Sequence, residues 1–228
     1  MTTTFPEPIV YVVDDDAQAC HAVAELIHSF GQEVRSYQSA TAFLDNVVED
    51  RPGCVLVDLR MPGMDGLELQ RRLKERGMSL PVIVVTAHAD TALTVESFRH
   101  GAITVLEKPT RDEDLWNAVQ EALVRSEKEF LRVRHQQSLE TRLKRLSPQD
   151  RAVLRLMLEG EKNRTIAKRL GVSLRTVENR RRRVFDVMEA DSVARLTRSV
   201  VEYEHNLLPI NNGHEQWLSL PFEREAAV

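Results

Sequence analysis

Three short apolar runs, each rich in β-branched residues and each followed by a polar side chain, constrain this chain most. They occupy residues 9–13, 54–57 and 82–85 and read IVYVV, CVLV and VIVV. Runs of this kind are typical of strands buried on both faces, as in a parallel sheet. Weaker strand patterns lie at 34–37 and 104–106. Helical patterns alternate with the strands, near 17–30, 40–48, 65–76, 91–100 and 112–124. This alternation predicts a doubly wound α/β domain with a five-stranded parallel sheet.

Polar side chains stand at the carboxyl ends of the predicted strands. They are, in chain order, Asp14, Asp15, Asp58, Thr86 and Lys108. Because the carboxyl ends of parallel strands meet at one edge of the sheet, carboxylates, a hydroxyl and an ammonium should converge there. A carboxylate cluster without His or Cys suits a hard cation such as Mg²⁺. Such an ion would neutralise an incoming phosphoryl group and hold its oxygens.

The motifs around these residues resemble the receiver domain of two-component response regulators, over about residues 7–125. The matching segments are Val13-Asp14-Asp15-Asp16, the run VDLRMPGMDG at 57–66, Val85-Thr86-Ala87-His88 and Glu107-Lys108-Pro109. The resemblance implies that Asp58 is the phospho-acceptor and one of the metal ligands. It also implies that Asp15 binds Mg²⁺ directly, that Asp14 acts through water, and that the Arg60 carbonyl completes the metal site.

In receivers the threonine and the lysine read the phosphoryl group, and the resemblance gives this role to Thr86 and Lys108. One position departs from the common pattern. Receivers usually carry Tyr or Phe three residues before the lysine, and here that residue is Val105. The aromatic half of the usual switch is therefore missing, and Val105 could instead belong to an apolar dimer surface.

Charge is distributed unevenly along the chain, although 31 Lys+Arg against 35 Asp+Glu give a net charge of only −4. Residues 1–124 carry 10 basic and 20 acidic side chains, whereas 125–146 carry 7 and 3. Residues 147–205 carry 13 and 9, and 206–228 carry 1 and 3. An acidic first half and a basic second half indicate two modules with different partners.

The stretch 112–145 contains neither glycine nor proline, which predicts one long helix or two nearly continuous ones. Such a helix can pair as a coiled coil, or it can be a solvated rod between two domains. We expect a receiver domain at 1–124, a helical linker at 125–145, an all-α helix-turn-helix domain at 146–205 and a tail at 206–228.

A basic amphipathic helix is predicted over 174–188. Its inward face carries Val177, Val184, Phe185 and Met188. Its opposite face carries Arg175, Glu178, Asn179, Arg182 and Asp186. A helix with one buried face and this outer face can enter the major groove of DNA, where Asn reads adenine, Arg reads guanine and Glu reads cytosine.

The arginines beside that face, Arg180, Arg181 and Arg183, suit DNA phosphates, and Thr176 belongs to the same predicted set of DNA contacts. The preceding segment 171–173 supplies the turn of a helix-turn-helix. The module resembles the output domain of LuxR/FixJ-type regulators over about 146–200. The matching segments are LSPQDR at 146–151, GEKNRTIA at 160–167, LGVS at 170–173 and RTVE at 175–178.

Composition and local patterns exclude several other classes of protein. Hydrophobic residues make up 42% and charged residues 29% of the 228 residues, which is typical of a globular protein. Two cysteines, Cys20 and Cys54, are too few for a disulfide framework. No signal peptide, no apolar run of about 20 residues and no nucleophile–base pair or cofactor loop is visible. We therefore expect a cytoplasmic protein that is neither an enzyme nor bound to a membrane.

As a whole, the chain resembles response regulators of the FixJ/NarL family. The resemblance implies that a partner histidine kinase phosphorylates Asp58, that phosphorylation favours a homodimer, and that the dimer binds paired DNA half-sites. RNA polymerase is a further candidate partner. An alternative is a phosphorylation-controlled protein-interaction switch, because output modules of this type also resemble promoter-recognition regions of sigma factors.

Overall fold

The computed structural model describes residues 6–48, 51–87 and 91–207, with the backbone alone at 204–207. The chain divides into two compact units, with the boundary in the sequence between Arg132 and Val133. The first unit is α/β and the second is helical, as the sequence predicts. Residues 208–228, which make up most of the predicted tail, lie outside the described residues.

The first unit alternates strands and helices. Its elements are β1 (Ile9–Val13), α1 (Ala17–Ser29), β2 (Glu33–Tyr37), α2 (Ala40–Asn46), β3 (Gly53–Val57), α3 (Gly66–Glu75), β4 (Val82–Thr86), α4 (Thr91–His100), β5 (Ala102–Glu107) and the first part of α5 (Asp112–Lys144). The strands form one parallel sheet in the order β2-β1-β3-β4-β5. The predicted doubly wound sheet is confirmed, and the carboxyl ends of β1, β3, β4 and β5 share one edge.

Both faces of the sheet are covered, which is why its inner strands are continuously apolar. In β1, Ile9, Tyr11 and Val13 pack into a cluster with residues of α2 and α3. Val10 and Val12 point to the opposite face and pack with residues of α1 and α5. Every residue of β1, β3 and β4 is buried. Alternating side chains therefore contribute to two cores, one on each face.

The second unit is built from helices around a single apolar cluster. Its elements are the last part of α5, α6 (Pro148–Leu158), α7 (Asn163–Leu170), α8 (Leu174–Met188) and α9 (Val193–Leu207). Helix α6 begins with Ser147 as N-cap, and the Ser147 and Asp150 side chains each accept a hydrogen bond from the other residue's backbone. Gly171 ends α7 in a left-handed conformation, with φ of 65°. The sharp turn at Gly171 leads directly into α8.

Helix α5 contributes to the cores of both units. Leu115 and Val119 are buried in the first unit, and Ser126 Oγ accepts a hydrogen bond from the Gly53 amide at 2.9 Å. Leu139 and Leu143 are buried in the second unit. The predicted linker is thus helical, and its last two turns belong to the packed core of the helical unit rather than to a fully solvated rod.

Candidate functional site

The carboxyl edge of the sheet brings two carboxylates and one ammonium together. Lys108 Nζ lies 2.6 Å from Asp14 Oδ2 and 3.5 Å from Asp58 Oδ1. Both carboxylate side chains are nearly enclosed, with 8% exposed for Asp14 and 10% for Asp58. The ammonium therefore joins two residues that are far apart in the chain and lie at the ends of neighbouring strands, β1 and β3.

Local backbone geometry fixes the carboxyl group of Asp58. The Arg60 amide donates to Asp58 Oδ2 at 3.0 Å, and the Gly66 amide donates to the Leu59 carbonyl at 3.0 Å. A Cβ atom at Gly66 would stand 2.5 Å from the Asp58 carbonyl oxygen, so only glycine allows this close approach. Asp65 then caps α3 by accepting from the Glu68 amide.

The electrostatics of this edge are those of a crowded, partly buried carboxylate. Burial raises the pKa of Asp58 above its usual value, Lys108 opposes that rise, and the charge of Asp14 adds to it. The pKa of Lys108 is raised, because hydrogen bonds and ion pairs with Asp14 and Asp58 outweigh the effect of its burial. Two carboxylates thus share one cation.

The other residues predicted for this site lie at the same edge. Thr86, at the end of β4, is only 1% exposed, and its carbonyl accepts from the Lys108 amide at 2.9 Å. Asp15 and Arg60 are exposed. Val105 is half-buried against the cluster on the α2–α3 face of the sheet, so its side chain is at least partly committed to the core of its own unit.

The donors at this edge fit a hard divalent cation in their chemistry and charge. The acidic side chains at this edge offer carboxylate oxygens, which Mg²⁺ prefers, and the two negative charges of Asp14 and Asp58 outnumber the single positive charge of Lys108. Within the described residues, no three His, Cys, Asp or Glu side chains are grouped closely enough to hold a metal ion. The positive charge between the two carboxylates is that of Lys108 Nζ.

In the helical unit, α8 has one buried face and one exposed polar face. Val177, Val184 and Met188 are buried, and Phe185 packs against the same cluster. Side chains predicted to contact DNA are exposed on the other side of the helix, namely Arg175, Glu178, Asn179, Arg182 and Arg183. Within residues 133–203, Arg175 and Arg182 form no ion pair with a described carboxylate.

Thr176 and Arg180 are partly engaged in the fold of the helical unit. The Thr176 amide donates to Ser173 Oγ at 3.1 Å, which caps the start of α8. Arg180 Nη1 donates to Asp150 Oδ1 at 3.1 Å. Arg183 Nε lies 3.2 Å from Asp150 Oδ2. Asp150, which the sequence marks only as part of a helix start, is therefore the common partner of two arginines.

Two further arginines contact α8 or the residue that follows it. The Arg181 guanidinium lies 5.9 Å from the centre of the Phe185 ring, a cation–π contact. At the end of α8, Arg142 of α5 donates to the Met188 carbonyl at 3.2 Å and pairs with Glu189 at 2.7 Å. Nothing in the sequence pattern of α8 predicts the Arg142 contact, because its partners are more than 40 residues away in the chain.

Comparisons with known proteins agree with this geometry. The response regulator receiver domain matches residues 10–120, and the family described as bacterial regulatory proteins, luxR family, matches residues 144–200. The transcriptional regulatory protein FixJ of Azorhizobium caulinodans is 41% identical over 194 residues, which cover 85% of this chain and 92% of that protein. The response regulator protein TmoT of Ectopseudomonas mendocina is 35% identical over 192 residues, covering 84% and 87%.

A solved structure of the response regulator StyR covers 87% of this chain and 100% of its own, with a TM-score of 0.82 and 33% identity. The chain belongs to the response regulator family. It is a two-domain regulator with a receiver domain and a LuxR-type DNA-binding domain, and it acts in phosphorylation-controlled regulation of transcription. No described helix of this response regulator is long and apolar enough to cross a membrane.

Proposed function

We propose that this response regulator accepts a phosphoryl group on Asp58 from a partner histidine kinase. The observation that carries the proposal is the contact of one ammonium, Lys108, with both Asp14 and Asp58 at the carboxyl edge of the sheet. In the transfer, a carboxylate oxygen of Asp58 bonds to phosphorus, and the bond from phosphorus to the kinase imidazole breaks. The neutral imidazole leaves, and an acyl phosphate remains on Asp58.

The residues around Asp58 each have a role in this step. Lys108 pairs with the phosphoryl oxygens once Asp58 has given up its own negative charge, and the Thr86 hydroxyl donates a hydrogen bond to them. Asp14, Asp15, Asp58 and the Arg60 carbonyl would hold Mg²⁺. When bound, the ion supplies neutralisation of charge on the transferred group.

We further propose that α8 is the helix that reads DNA. Its exposed side chains fit base contacts by Arg175, Glu178, Asn179 and Arg182 in the major groove. Thr176, Arg180 and Arg183 lie beside them and suit the phosphate backbone. The support is the exposed, unpaired state of Arg175 and Arg182 within the described part of the helical unit.

Phosphorylation is proposed to favour a homodimer, which then binds paired half-sites in the cytoplasm and acts on RNA polymerase. Dimerisation doubles the number of recognition helices on one duplex, so it raises affinity for paired sites without a change in any single contact. The proposed domain limits are 1–124 for the receiver, 125–145 for the linker, 146–205 for the output domain and 206–228 for the tail.

A footprint of the purified full chain on genomic DNA, with and without a phosphodonor, tests the proposal. We expect phosphorylated protein to protect specific sites and affinity to fall by about 0.9 log units per log unit of salt for each phosphate contacted. Protection of no site in the phosphorylated state would refute DNA binding as the output. That result would leave the protein-interaction switch as the function to pursue.

A further inference from the structure

Asp150 is a buried acidic residue next to the recognition helix, and neither the phosphorylation site nor the base-contacting face uses it. The residue is 1% exposed and lies in the first turn of α6. It accepts hydrogen bonds from the Ser147 backbone amide at 3.3 Å and from the Ser147 hydroxyl at 2.6 Å. Both of these capping hydrogen bonds go to Oδ2, and neither uses Oδ1.

The same carboxyl group also contacts two arginines of α8. Arg180 reaches Oδ1 at 3.1 Å, and Arg183 reaches Oδ2 at 3.2 Å. Both oxygens are engaged, so the carboxylate fixes the two guanidinium groups relative to each other and to α6. Burial alone disfavours its charge, yet the hydrogen bonds from Ser147 and Arg180 lower the pKa of Asp150 below its usual value. The group is therefore a carboxylate at neutral pH.

Both arginines keep exposed N–H donors despite their contact with Asp150. The side chain of Arg180 is 30% exposed and that of Arg183 is 61% exposed, while the Asp150 side chain is only 2% exposed. A guanidinium group has five N–H donors, so a contact with one carboxylate leaves donors for a phosphate. The cleft of about 370 Å³ beside them is lined by Ser147, Asp150, Thr176, Asn179, Arg180 and Arg183.

We propose that Asp150 is a positioning residue for DNA recognition, which holds Arg180 and Arg183 so that they receive one stretch of phosphate backbone while Arg175 and Arg182 face the bases. The inference deepens the proposed DNA-binding function and rests on it. The charge balance supports it, because two guanidinium groups against one carboxylate leave the cleft with a surplus of one positive charge. Without the carboxylate, both arginines would be free to bind any phosphate in any register.

The decisive variant is Asp150→Asn in the full-length chain. Asparagine keeps an acceptor for the Ser147 amide, so the start of α6 is retained, but it loses the charge that holds the arginines. Binding is measured on a duplex that carries a site found by the wild-type footprint and on a scrambled duplex of the same composition. We expect affinity for the specific site to fall roughly tenfold and affinity for scrambled DNA to rise.

The opposite changes in affinity for the two duplexes distinguish a positioning role of Asp150 from a simple loss of structure. A damaged output domain would lose affinity for both duplexes, whereas released arginines gain non-specific contacts. We also expect the salt dependence on scrambled DNA to steepen by about 0.9 log units for each additional phosphate contact. The matched control is Asp191→Asn, which makes the same charge change at an exposed pair with Arg195. It should leave the ratio of the two affinities unchanged.

A second pair of variants covers the case in which Asp150→Asn lowers the helix content seen by circular dichroism. Arg183→Lys keeps the positive charge but not the forked geometry, and Arg183→Ala removes both. We expect both to lower the specific-to-scrambled affinity ratio. An unchanged ratio in Arg183→Lys and in a folded Asp150→Asn protein would overturn the inference. Absence of site-selective binding by the wild type would instead refute the DNA-binding function itself.

Discussion

Each unit of the protein buries a carboxylate against basic side chains, but the balance of charge is opposite in the two. At the sheet edge, Asp14 and Asp58 share the single ammonium of Lys108. In the helical unit, Asp150 alone faces the guanidinium groups of Arg180 and Arg183. The first arrangement has one negative charge in excess, which favours a cation. The second has one positive charge in excess, which favours an anion such as phosphate.

The direction of the pKa shift follows that balance. The pKa of Asp58 is raised by burial and by Asp14 despite Lys108, whereas that of Asp150 is lowered by Ser147 and Arg180 despite burial. Burial acts in the same direction on both groups. The number and kind of neighbours therefore decide whether the pKa of a buried carboxylate is raised or lowered.

The largest expected effect is the loss of phosphoryl acceptance in Asp58→Asn. The amide cannot form the acyl phosphate, so incubation with a labelled phosphodonor should leave the full chain without acid-stable, base-labile label. Asp65→Asn is the control, since Asp65 caps α3 and takes no part in the edge. Label that persists at wild-type level in Asp58→Asn would show that another residue accepts the phosphoryl group. It would also contradict the contrast drawn between Asp58 and Asp150.

A smaller effect is expected for an arginine that no carboxylate holds. Arg182→Ala should weaken binding to a footprinted site by about 1–3 kcal/mol. Its free energy of unfolding should change by less than about 0.5 kcal/mol, because Arg182 is exposed. Fluorescence anisotropy on labelled duplexes and urea unfolding give the two values. Equal losses of stability in Arg182→Ala and Arg180→Ala would contradict the distinction between free and held arginines.

A third prediction concerns pH at the sheet edge. A folded-state pKa of Asp58 above the usual 3.8 means that the folded protein binds more protons than the unfolded chain in that window. The destabilisation caused by the ionised Asp58 is therefore absent at low pH and grows as the pH rises through the folded-state pKa. Asp58→Asn should be more stable than wild type at pH 7 by on the order of 1 kcal/mol. Urea unfolding at a series of pH values measures the difference.

The control for this third prediction is again Asp65→Asn, whose stability should follow that of the wild type at every pH because asparagine is an equally good N-cap. A difference between wild type and Asp58→Asn that stays constant with pH would show that the carboxylate is not strained by its surroundings.

The smallest effect is expected where an ion pair is not buried. Asp191 and Arg195 pair at 2.7 Å, but their side chains are 66% and 68% exposed. Exposed pairs are screened by water and salt. Asp191→Asn should leave the thermal unfolding midpoint of the full chain unchanged within error. A clear drop would mean that exposure does not separate this pair from the one at Asp150.

Much of the fold and of the sheet-edge site follows from short-range patterns in the sequence. Apolar runs and the polar residues after them predict the parallel strands and the convergence of Asp14, Asp58 and Lys108, because parallel topology brings strand ends together. The strand at 102–107 and the length of α5 are less clearly marked, since β5 is only half-buried and its pattern is weak.

Contacts between distant residues were not predictable in the same way. Helical periodicity places Arg180 and Arg183 beside the outer face of α8, and on that basis they suit phosphates. It does not show that Asp150, about 30 residues earlier, lies against them. The burial of Leu139 and Leu143 by the helical unit escapes detection for the same reason, because tertiary packing decides which face of a long polar helix is covered.

The row of four arginines at 180–183 also bears on how such a regulator diverges. Arg182 is exposed and unpaired within the described residues, so we expect a substitution there to change the stability of the fold very little. Arg180 is anchored to a buried carboxylate, and its replacement leaves that charge with fewer partners. Under the proposed recognition role of α8, single substitutions at Arg175 and Arg182 change its exposed face without removing an ion pair of the described fold, whereas a substitution at Arg180 also takes a partner from Asp150.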